Sequence, residues 1–253
     1  AGGVILVTTR NAVAGQIKAT YTGELSMETL RNRPDVLSAS EYRDLGLGGE
    51  NDIYDYGADT DWYDLLMRKN PLSHRHVVNV NGGSEYANIY TTFSMQDQKG
   101  IAIGDGRKDY SARINAYFKM YEGLVELRTH AEYREAKRDL RRSNGMYNAA
   151  IKLNPTLNPY DQESASGYNL EDFKGTDFNP VADVMLRQRD ALDKWLLSDA
   201  TLKINLTPEL NVQATFGYDS RQWQATRYVS ANHRESDQGG YSGEAYHGFD
   251  KTQ

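Results

Sequence analysis

The sequence predicts an all-β fold: part of an antiparallel up-and-down transmembrane β-barrel, with short helices in its long extracellular loops. Two observations predict it, namely strict alternation of apolar and charged residues and connections that alternate between short and long. The alternation is clearest over residues 124–134, where Leu127 and Tyr133 share one strand face because successive side chains point oppositely. The other face should line an aqueous lumen with Glu126, Arg128, His130, Glu132 and Arg134.

Six further segments repeat the alternation and are predicted to be strands. We expect Leu127, Ile114 and Phe216 to share one face of a single sheet. Long connections are expected at 29–72, 98–108, 136–190 and beyond 222, with tight turns between them, as in a barrel with short turns at one rim. The predicted strands cover residues 16–28, 76–83, 87–95, 109–119, 124–134, 199–207 and 209–219.

The first long connection contains signals for two short helices. Ser38 followed by Glu41 predicts a capping box, in which each residue accepts a hydrogen bond from the other's backbone. Thr60 is the expected cap of the second helix, and Pro71 its stop. We therefore expect ordered helices within this loop.

Composition narrows the class of protein further. Among 253 residues, 39% are hydrophobic, and no apolar run approaches the roughly 18 residues that a membrane helix needs. The absence of cysteine excludes disulfides and thiolate metal sites, and the net charge of −6 argues against nucleic acid, which needs a concentrated basic face. The 18 tyrosines suit both the aromatic girdle of a barrel and the stacking surfaces of sugar sites.

Six segments together resemble a known family. In order they read AGGVILVTTR at the start, RPDVLSASEYRDL from Arg33, TDWYDLLMR from Thr60, NVNGGSEYANIYTTFSMQDQKGI from Asn79, LNPYD from Leu157 and DFNPVADVMLR from Asp177. They resemble the SusC/RagA-type TonB-dependent outer-membrane receptors of Bacteroidota, which import glycans and peptides. The likeness covers nearly the whole chain.

The resemblance implies an internal fragment of a longer receptor. It assigns residues 1–15 to the end of a plug domain and its linker, and residues 16–253 to the N-terminal portion of the barrel. Such a barrel has about 22 strands, of which this chain would hold about seven. The polar stretch that ends the chain is expected to be a loop.

The resemblance also implies location and partners. It places the chain in the outer membrane, in contact with lipid, and implies import of an oligosaccharide or peptide ligand rather than enzymatic activity. The expected partners are a SusD-like surface lipoprotein, which would cap the cavity, and TonB, which would act through a plug segment missing from this chain. Nucleic acid is not expected as a partner.

Loop aromatics and carboxylates are the candidate ligand-binding residues, because aromatic rings stack on sugars and carboxylates accept sugar hydroxyls. A solvated loop packed by its own rings would use the same residues. Calcium in this loop is conceivable, but the spacing does not match an EF-hand, and we expect no cofactor. The candidates are Tyr54, Tyr56, Asp59, Asp61, Trp62, Tyr63, Tyr147, Tyr160 and Tyr168, beside the further carboxylates Asp52, Asp55 and Asp64.

The remaining motifs point to no chemistry. His74 and His76 share a strand face but have no third ligand nearby in the sequence, so no metal site is predicted. Neither a nucleophile elbow, a P-loop nor an HExxH motif occurs, which argues against catalysis. The charged residues of strand five could guide a substrate or form a cross-strand ladder of ion pairs, and we favour the ladder. Two alternatives remain open: an ungated, porin-like channel, and a soluble all-β protein that binds or degrades polysaccharide.

Overall fold

Eight antiparallel strands in a single sheet make up about half of the described residues. The computed structural model describes residues 15–45, 54–141, 144–173, 177–240 and 243–252. Each strand pairs with the next one along the chain, which confirms the predicted all-β, up-and-down fold. The strands are β1 Gly15–Met27, β2 Leu72–Gly83, β3 Ala87–Lys99, β4 Gly106–Met120, β5 Val125–Asp139, β6 Arg187–Asn205, β7 Asn211–Val229 and β8 Glu244–Thr252.

The long connections all lie at one end of this sheet and the tight turns at the other. The end that we call the long-loop end carries the connections 28–71, 100–105, 140–186 and 230–243. The opposite end, the short-turn end, carries the turns 84–86, 121–124 and 206–210. The predicted alternation is therefore confirmed for the connections 28–71, 140–186 and 230–243, whereas 100–105 has six residues and is shorter than the connection expected over 98–108.

The strands reach further towards the long-loop end than the sequence pattern predicts. β6 begins at Arg187 instead of residue 199, and β7 continues to Val229 instead of ending near residue 219. The loops expected over 136–190 and beyond 222 are correspondingly too long, and the stretch interpreted as a polar terminal loop contains β8. Beyond residue 134 both faces of β5 carry charged residues, so the alternation ends before the hydrogen-bonded ladder does.

The two faces of the sheet differ in chemistry along its whole width. Directly opposed residues share a face, and one such row runs through Val78, Phe93, Ala112, Tyr133 and Leu196. We call this the apolar face. On β5 its apolar residues run from Val125 to Tyr133, about 26 Å at about 3.3 Å per residue.

The three residues expected to share a face do so. The register places Leu127, Ile114 and Phe216 on the apolar face, and Ile114 and Phe216 are 42% and 72% exposed. No second sheet covers them among the described residues. The sheet therefore presents its apolar side chains outward, unlike a soluble sandwich, which buries them between two sheets.

The loops at the long-loop end pack into a small core of their own, which we call the loop cluster. The connections 28–71 and 140–186 run side by side: Thr60 N donates to Pro155 O at 2.8 Å, and Ala58 N donates to Thr156 O at 2.9 Å. Arg68 holds the connection 100–105 through three of its carbonyl oxygens. The buried hydrophobic residues are Trp62, Leu66, Ala102, Met146, Ala150, Leu153, Leu157, Val181 and Val184.

Short helices support this cluster. They are α1 Ala39–Asp44, α2 Trp62–Leu65, α3 Asn144–Lys152, α4 Pro180–Met185 and α5 Arg234–Gly239, and over the described ranges none is long and apolar enough to span a membrane. The predicted Ser38–Glu41 capping box at α1 is confirmed. At α2 the prediction is wrong, because Asp61 is the cap and Thr60 instead donates to Leu157 O at 2.5 Å. The helix ends at Leu65, well before Pro71.

Candidate functional site

The face opposite the apolar one is lined with charged and polar side chains, and we call it the polar face. The register places Glu126, Arg128, His130, Glu132 and Arg134 together on it. Charged side chains on one face and aliphatic side chains on the other suit a wall between water and lipid, since Arg or Lys facing the bilayer midplane costs about 2–4 kcal/mol.

Near the short-turn end and mid-sheet, several charged groups of the polar face have a partner on a neighbouring strand. Arg113 Nη2 lies 2.6 Å from Glu132 Oε2, joining β4 to β5. His130 Nδ1 lies 3.1 Å from Asp199 Oδ1, joining β5 to β6. Glu126 also accepts from Asn205 Nδ2 at 3.0 Å. These pairs form a cross-strand ladder that stiffens the sheet.

Towards the long-loop end, the polar face opens into a recess of about 520 Å³ with arginines on its rim. Its floor is Ala136, a small side chain that is only 2% exposed. Because β5 carries no large side chain there, space remains between the longer residues around it. We call this space the arginine recess, and its other lining residues are Arg107, Arg134, Arg138, Asp193, Trp195, Asp219 and Arg221.

Two carboxylates hold the arginines in place. Asp109 accepts from Arg107 Nε at 2.5 Å and from Arg134 Nη2 at 2.7 Å. Asp193 accepts from Arg138 Nη2 at 2.8 Å and lies 3.8 Å from Arg221 Nη2. Each carboxylate therefore lies against two guanidinium groups.

A second space adjoins the recess beneath the loop cluster. It measures about 500 Å³, and Arg107 and Arg138 line both spaces. Its remaining walls include Tyr63 and Tyr147 from the two long connections and Asp139 from the end of β5. The loops and the polar face of the sheet thus enclose neighbouring spaces.

The loop aromatics predicted as ligand contacts fall into two groups. Trp62 is 3% exposed and donates from Nε1 to Asn154 O at 3.0 Å, so its ring packs within the loop cluster and offers no face to a ligand. Tyr56, Tyr63 and Tyr147 pack against the same core and are half-buried. Trp62 therefore belongs to the self-packed loop, whereas Tyr63 and Tyr147 also line the space of about 500 Å³, and ligand binding by these tyrosines stays a prediction.

The second group of predicted aromatics is open to solvent. Tyr54 is 60% exposed and Tyr160 is 48% exposed. Tyr160 pairs with Tyr168 at a ring-centroid distance of 5.8 Å, while Tyr54 pairs with Tyr56 at 6.3 Å. The structure therefore leaves two exposed tyrosines, each steadied by a second ring.

The predicted carboxylates of the first loop serve local structure. Asp61 caps α2 and pairs with Arg33 at 2.5 Å, while Asp59 is exposed. Hydrogen bonds from Arg43 and from the Gly57 backbone hold the pKa of Asp55 below its usual value. Asp64 pairs with Lys69 at 3.2 Å, and Asp52 lies outside the described residues. Within the described part of the chain, no group of three or more acidic or histidine residues is arranged to hold a metal ion.

A buried carboxylate ties the loops to the barrel strands. Asp183 of α4 is 3% exposed and lies 3.0 Å from Arg187 of β6, 3.0 Å from Arg234 and 3.2 Å from His233. Burial would raise the pKa of Asp183. The hydrogen bond with His233 and the charges of Arg187 and Arg234 outweigh that effect and lower the pKa. The carboxylate therefore stays ionised and holds the connections 140–186 and 230–243 together.

The sequence and the fold both resemble TonB-dependent receptors. No family model matches the chain. It is 24% identical over 115 residues to TonB-dependent receptor P3 of Formosa agariphila, which covers 46% of this chain and 11% of that receptor. The solved structure of the RagAB peptide transporter is similar in fold, with a TM-score of 0.68 and 15% sequence identity. The match covers 88% of this chain and 30% of the chain in that structure.

Two further structures of the same assembly agree. The RagAB peptide importer in its open-open state gives a TM-score of 0.70 at 16% identity, over 89% of this chain and 30% of that one. Its closed-closed state gives 0.69 at 16% identity, over 96% of this chain and 32% of that one. The chain therefore has the fold of part of the RagAB chains. It spans about a third of the solved chains, and the resemblance seen in the sequence is confirmed.

The arginine recess is the part of this SusC/RagA-type fold that sequence reasoning missed. Arg138 and Asp193 fall within or beside the long connection expected at 136–190, and Trp195 precedes the strand expected to start at residue 199. The sequence offered no alternation here, because Glu135, Lys137 and Arg138 place charges on both faces of β5. Residues 1–15, assigned to the plug and its linker, lie almost wholly outside the described residues.

Proposed function

We propose that this chain forms part of the wall and outer rim of a TonB-dependent outer-membrane receptor that imports oligosaccharide or peptide nutrients. One observation carries the proposal: a single sheet has an aliphatic face, a charged face and all its long loops folded at one end. A bilayer outside, an aqueous passage inside and a ligand arriving from the loop end would account for all three features.

The dimensions of the apolar face support a place in a membrane. Its apolar stretch of nine residues on β5, Val125 to Tyr133, is close to the roughly 9–11 residues that a tilted transmembrane strand needs to cross a bilayer. Tyr133 stands at the end of that stretch, followed on the same face by Glu135 and Lys137. A ring followed by charges suits the boundary between acyl chains and headgroups.

The loops support an orientation and a partner surface. We assign the long-loop end to the cell exterior, where long loops of such barrels lie, and the short-turn end to the periplasm. The loop cluster then stands where a SusD-like lipoprotein would cover the cavity. Tyr54 and Tyr160, exposed at this end, are the candidate contacts for ligand or for that partner.

The whole receptor would act by transport and not by catalysis. TonB would act through a plug, and the polar face would line the route that the ligand follows. The solved relatives are titled peptide transporter and peptide importer. The exposed tyrosines suit sugars equally well, so both ligand classes belong in the test.

Growth assays with the receptor that contains this chain test the proposal. In the source bacterium, a deletion should abolish growth on one class of oligosaccharide or peptide as sole nutrient and leave growth on free monomers intact. Restoring the wild-type gene should restore growth, and inactivating TonB should abolish it again. Growth that is independent of TonB would favour the ungated channel, and recovery of the protein outside the outer-membrane fraction would contradict the membrane assignment.

A further inference from the structure

We propose that the arginine recess binds an oxyanion, a carboxylate or sulfate group carried by the ligand that the receptor imports. This inference rests on the proposed function and deepens it, because it names the chemical group that the passage recognises. The chemistry follows from the guanidinium group, whose planar fork of N–H donors matches a two-oxygen anion.

Charge is the first argument. Arg107, Arg134, Arg138 and Arg221 surround the recess, whereas Asp109 and Asp193 are the carboxylates that bind them. The third carboxylate, Asp219, accepts a hydrogen bond from Trp195 Nε1 at 2.7 Å. Among the described side chains of the recess, positive charge therefore remains in excess.

Depth is the second argument. The carboxylates lie low, with side-chain exposures of 15% for Asp109 and 21% for Asp193. The guanidinium-bearing side chains reach further out, with exposures of 36% for Arg138 and 65% for Arg221. An incoming ligand therefore meets these cations before Asp109 and Asp193, while the exposed Asp219 lies at the edge of the recess beside Trp195.

Unused donors and free space are the third argument. Arg138 Nε is buried and has no hydrogen-bond partner within the described part of the chain. The volume of about 520 Å³ above Ala136 is ample for a carboxylated side chain or a single sugar unit. Beside it, the hydrogen bond to Asp219 holds the Trp195 ring in place, so that the ring can flank the apolar part of such a group.

A purely structural role would predict a different arrangement. Elsewhere on the polar face Arg113 pairs with Glu132 at 2.6 Å, and Glu126 lies 3.8 Å from Arg128 and 3.9 Å from Lys203. A ladder that only stiffens the wall needs no open space above a small residue. The recess departs from the ladder in the space of about 520 Å³ above Ala136.

Inorganic sulfate is the probe for a direct test on the complete purified receptor. Thermal unfolding is followed while sodium sulfate replaces sodium chloride at constant ionic strength, with wild type compared with Arg138→Gln, Ala136→Leu and Arg113→Gln. Sulfate stabilises most proteins without binding, so only a saturable shift counts as binding. Arg113→Gln is the matched control, because it removes an arginine of the same face outside the recess.

We expect wild type and Arg113→Gln to show saturable stabilisation, and Arg138→Gln and Ala136→Leu to raise the apparent Kd for sulfate at least fivefold. Ala136→Leu fills the floor without altering charge and therefore separates recess binding from general attraction. No saturable shift in wild type, or equal Kd values in all four proteins, would overturn the inference.

Two pairs of ligands then distinguish the source of the oxyanion. Tetragalacturonate is compared with its methyl ester, and tetraglutamate with tetraglutamine, by isothermal titration calorimetry on the same receptor. Tighter binding of tetragalacturonate than of its methyl ester would identify a sugar as the source of the oxyanion. Tighter binding of tetraglutamate than of tetraglutamine would identify a peptide. Nutrient growth that depends on the receptor, together with no sulfate binding, would refute this inference while leaving the transport proposal intact.

Discussion

An arginine placed at the middle of the apolar face tests whether that face contacts lipid. Ile114 lies midway between Tyr110 and Phe118 on the apolar face of β4, about 13 Å along the strand from each. Arginine there would stand at the bilayer midplane, where the cost is about 2–4 kcal/mol. In water the same change at a residue that is 42% exposed would alter stability by at most about 0.5 kcal/mol.

Urea unfolding of the complete receptor in lipid vesicles measures the difference. Ile114→Arg should lower the free energy of unfolding by about 2–4 kcal/mol. Asn115→Arg, one residue along and on the polar face, is the matched control and should change it by less than about 1 kcal/mol. Equal stabilities for the two variants would refute the assignment of the apolar face to lipid.

Three further predictions test the loops and a turn. Trp62→Ala should destabilise the loop cluster by about 3–5 kcal/mol, as measured by hydrogen exchange, whereas Tyr160→Ala should destabilise it by less than about 0.5 kcal/mol. Similar losses of stability in the two variants would show that the buried core is misassigned. Because the pKa of Asp183 is lower in the folded protein, its carboxylate stabilises the loops above about pH 4, and that contribution disappears as pH falls through the folded pKa. Limited proteolysis of the wild-type loops should therefore become faster in acid, whereas its rate should depend less on pH in Asp183→Asn. If the two proteins show the same dependence of proteolysis rate on pH, the Asp183 carboxylate does not hold the loops together. Gly83 has a φ of 148°, and a Cβ added there would overlap the Ala87 carbonyl, so Gly83→Ala should lower the free energy of unfolding in urea by about 1–3 kcal/mol. In the control Gly217→Ala the added Cβ meets no atom within 4 Å, and the loss should be at most about 1 kcal/mol. Equal losses would exclude the turn as the cause.

Sequence reasoning identified the strands where the bilayer would impose alternation and missed their polar extensions. β5 was recognised from residue 124 to residue 134, but it continues to Asp139. Along Glu135, Lys137 and Asp139 the outward positions are charged, so both faces are polar and alternation carries no signal. The hydrogen-bonded ladder with β6 continues there regardless.

The loop residues show even more clearly which features the sequence pattern cannot predict. Trp62 and Tyr160 look alike in the sequence, as aromatic residues in long polar connections. Trp62 is buried because residues of the distant segment 154–157 pack around it, whereas Tyr160 lies at the surface of the same cluster. Burial of this kind depends on which loops meet and not on local pattern.

The order of the strands, the faces that they present and the end at which the long loops lie were all determined by the sequence itself. Alternation and connection length are local properties, and an up-and-down sheet pairs neighbours in chain order. Only the tertiary structure decided the extent of the strands, the loop cluster and the arginine recess. The recess depends on register, because Arg107, Arg138, Asp193 and Arg221 belong to four strands and come together only when those strands pair.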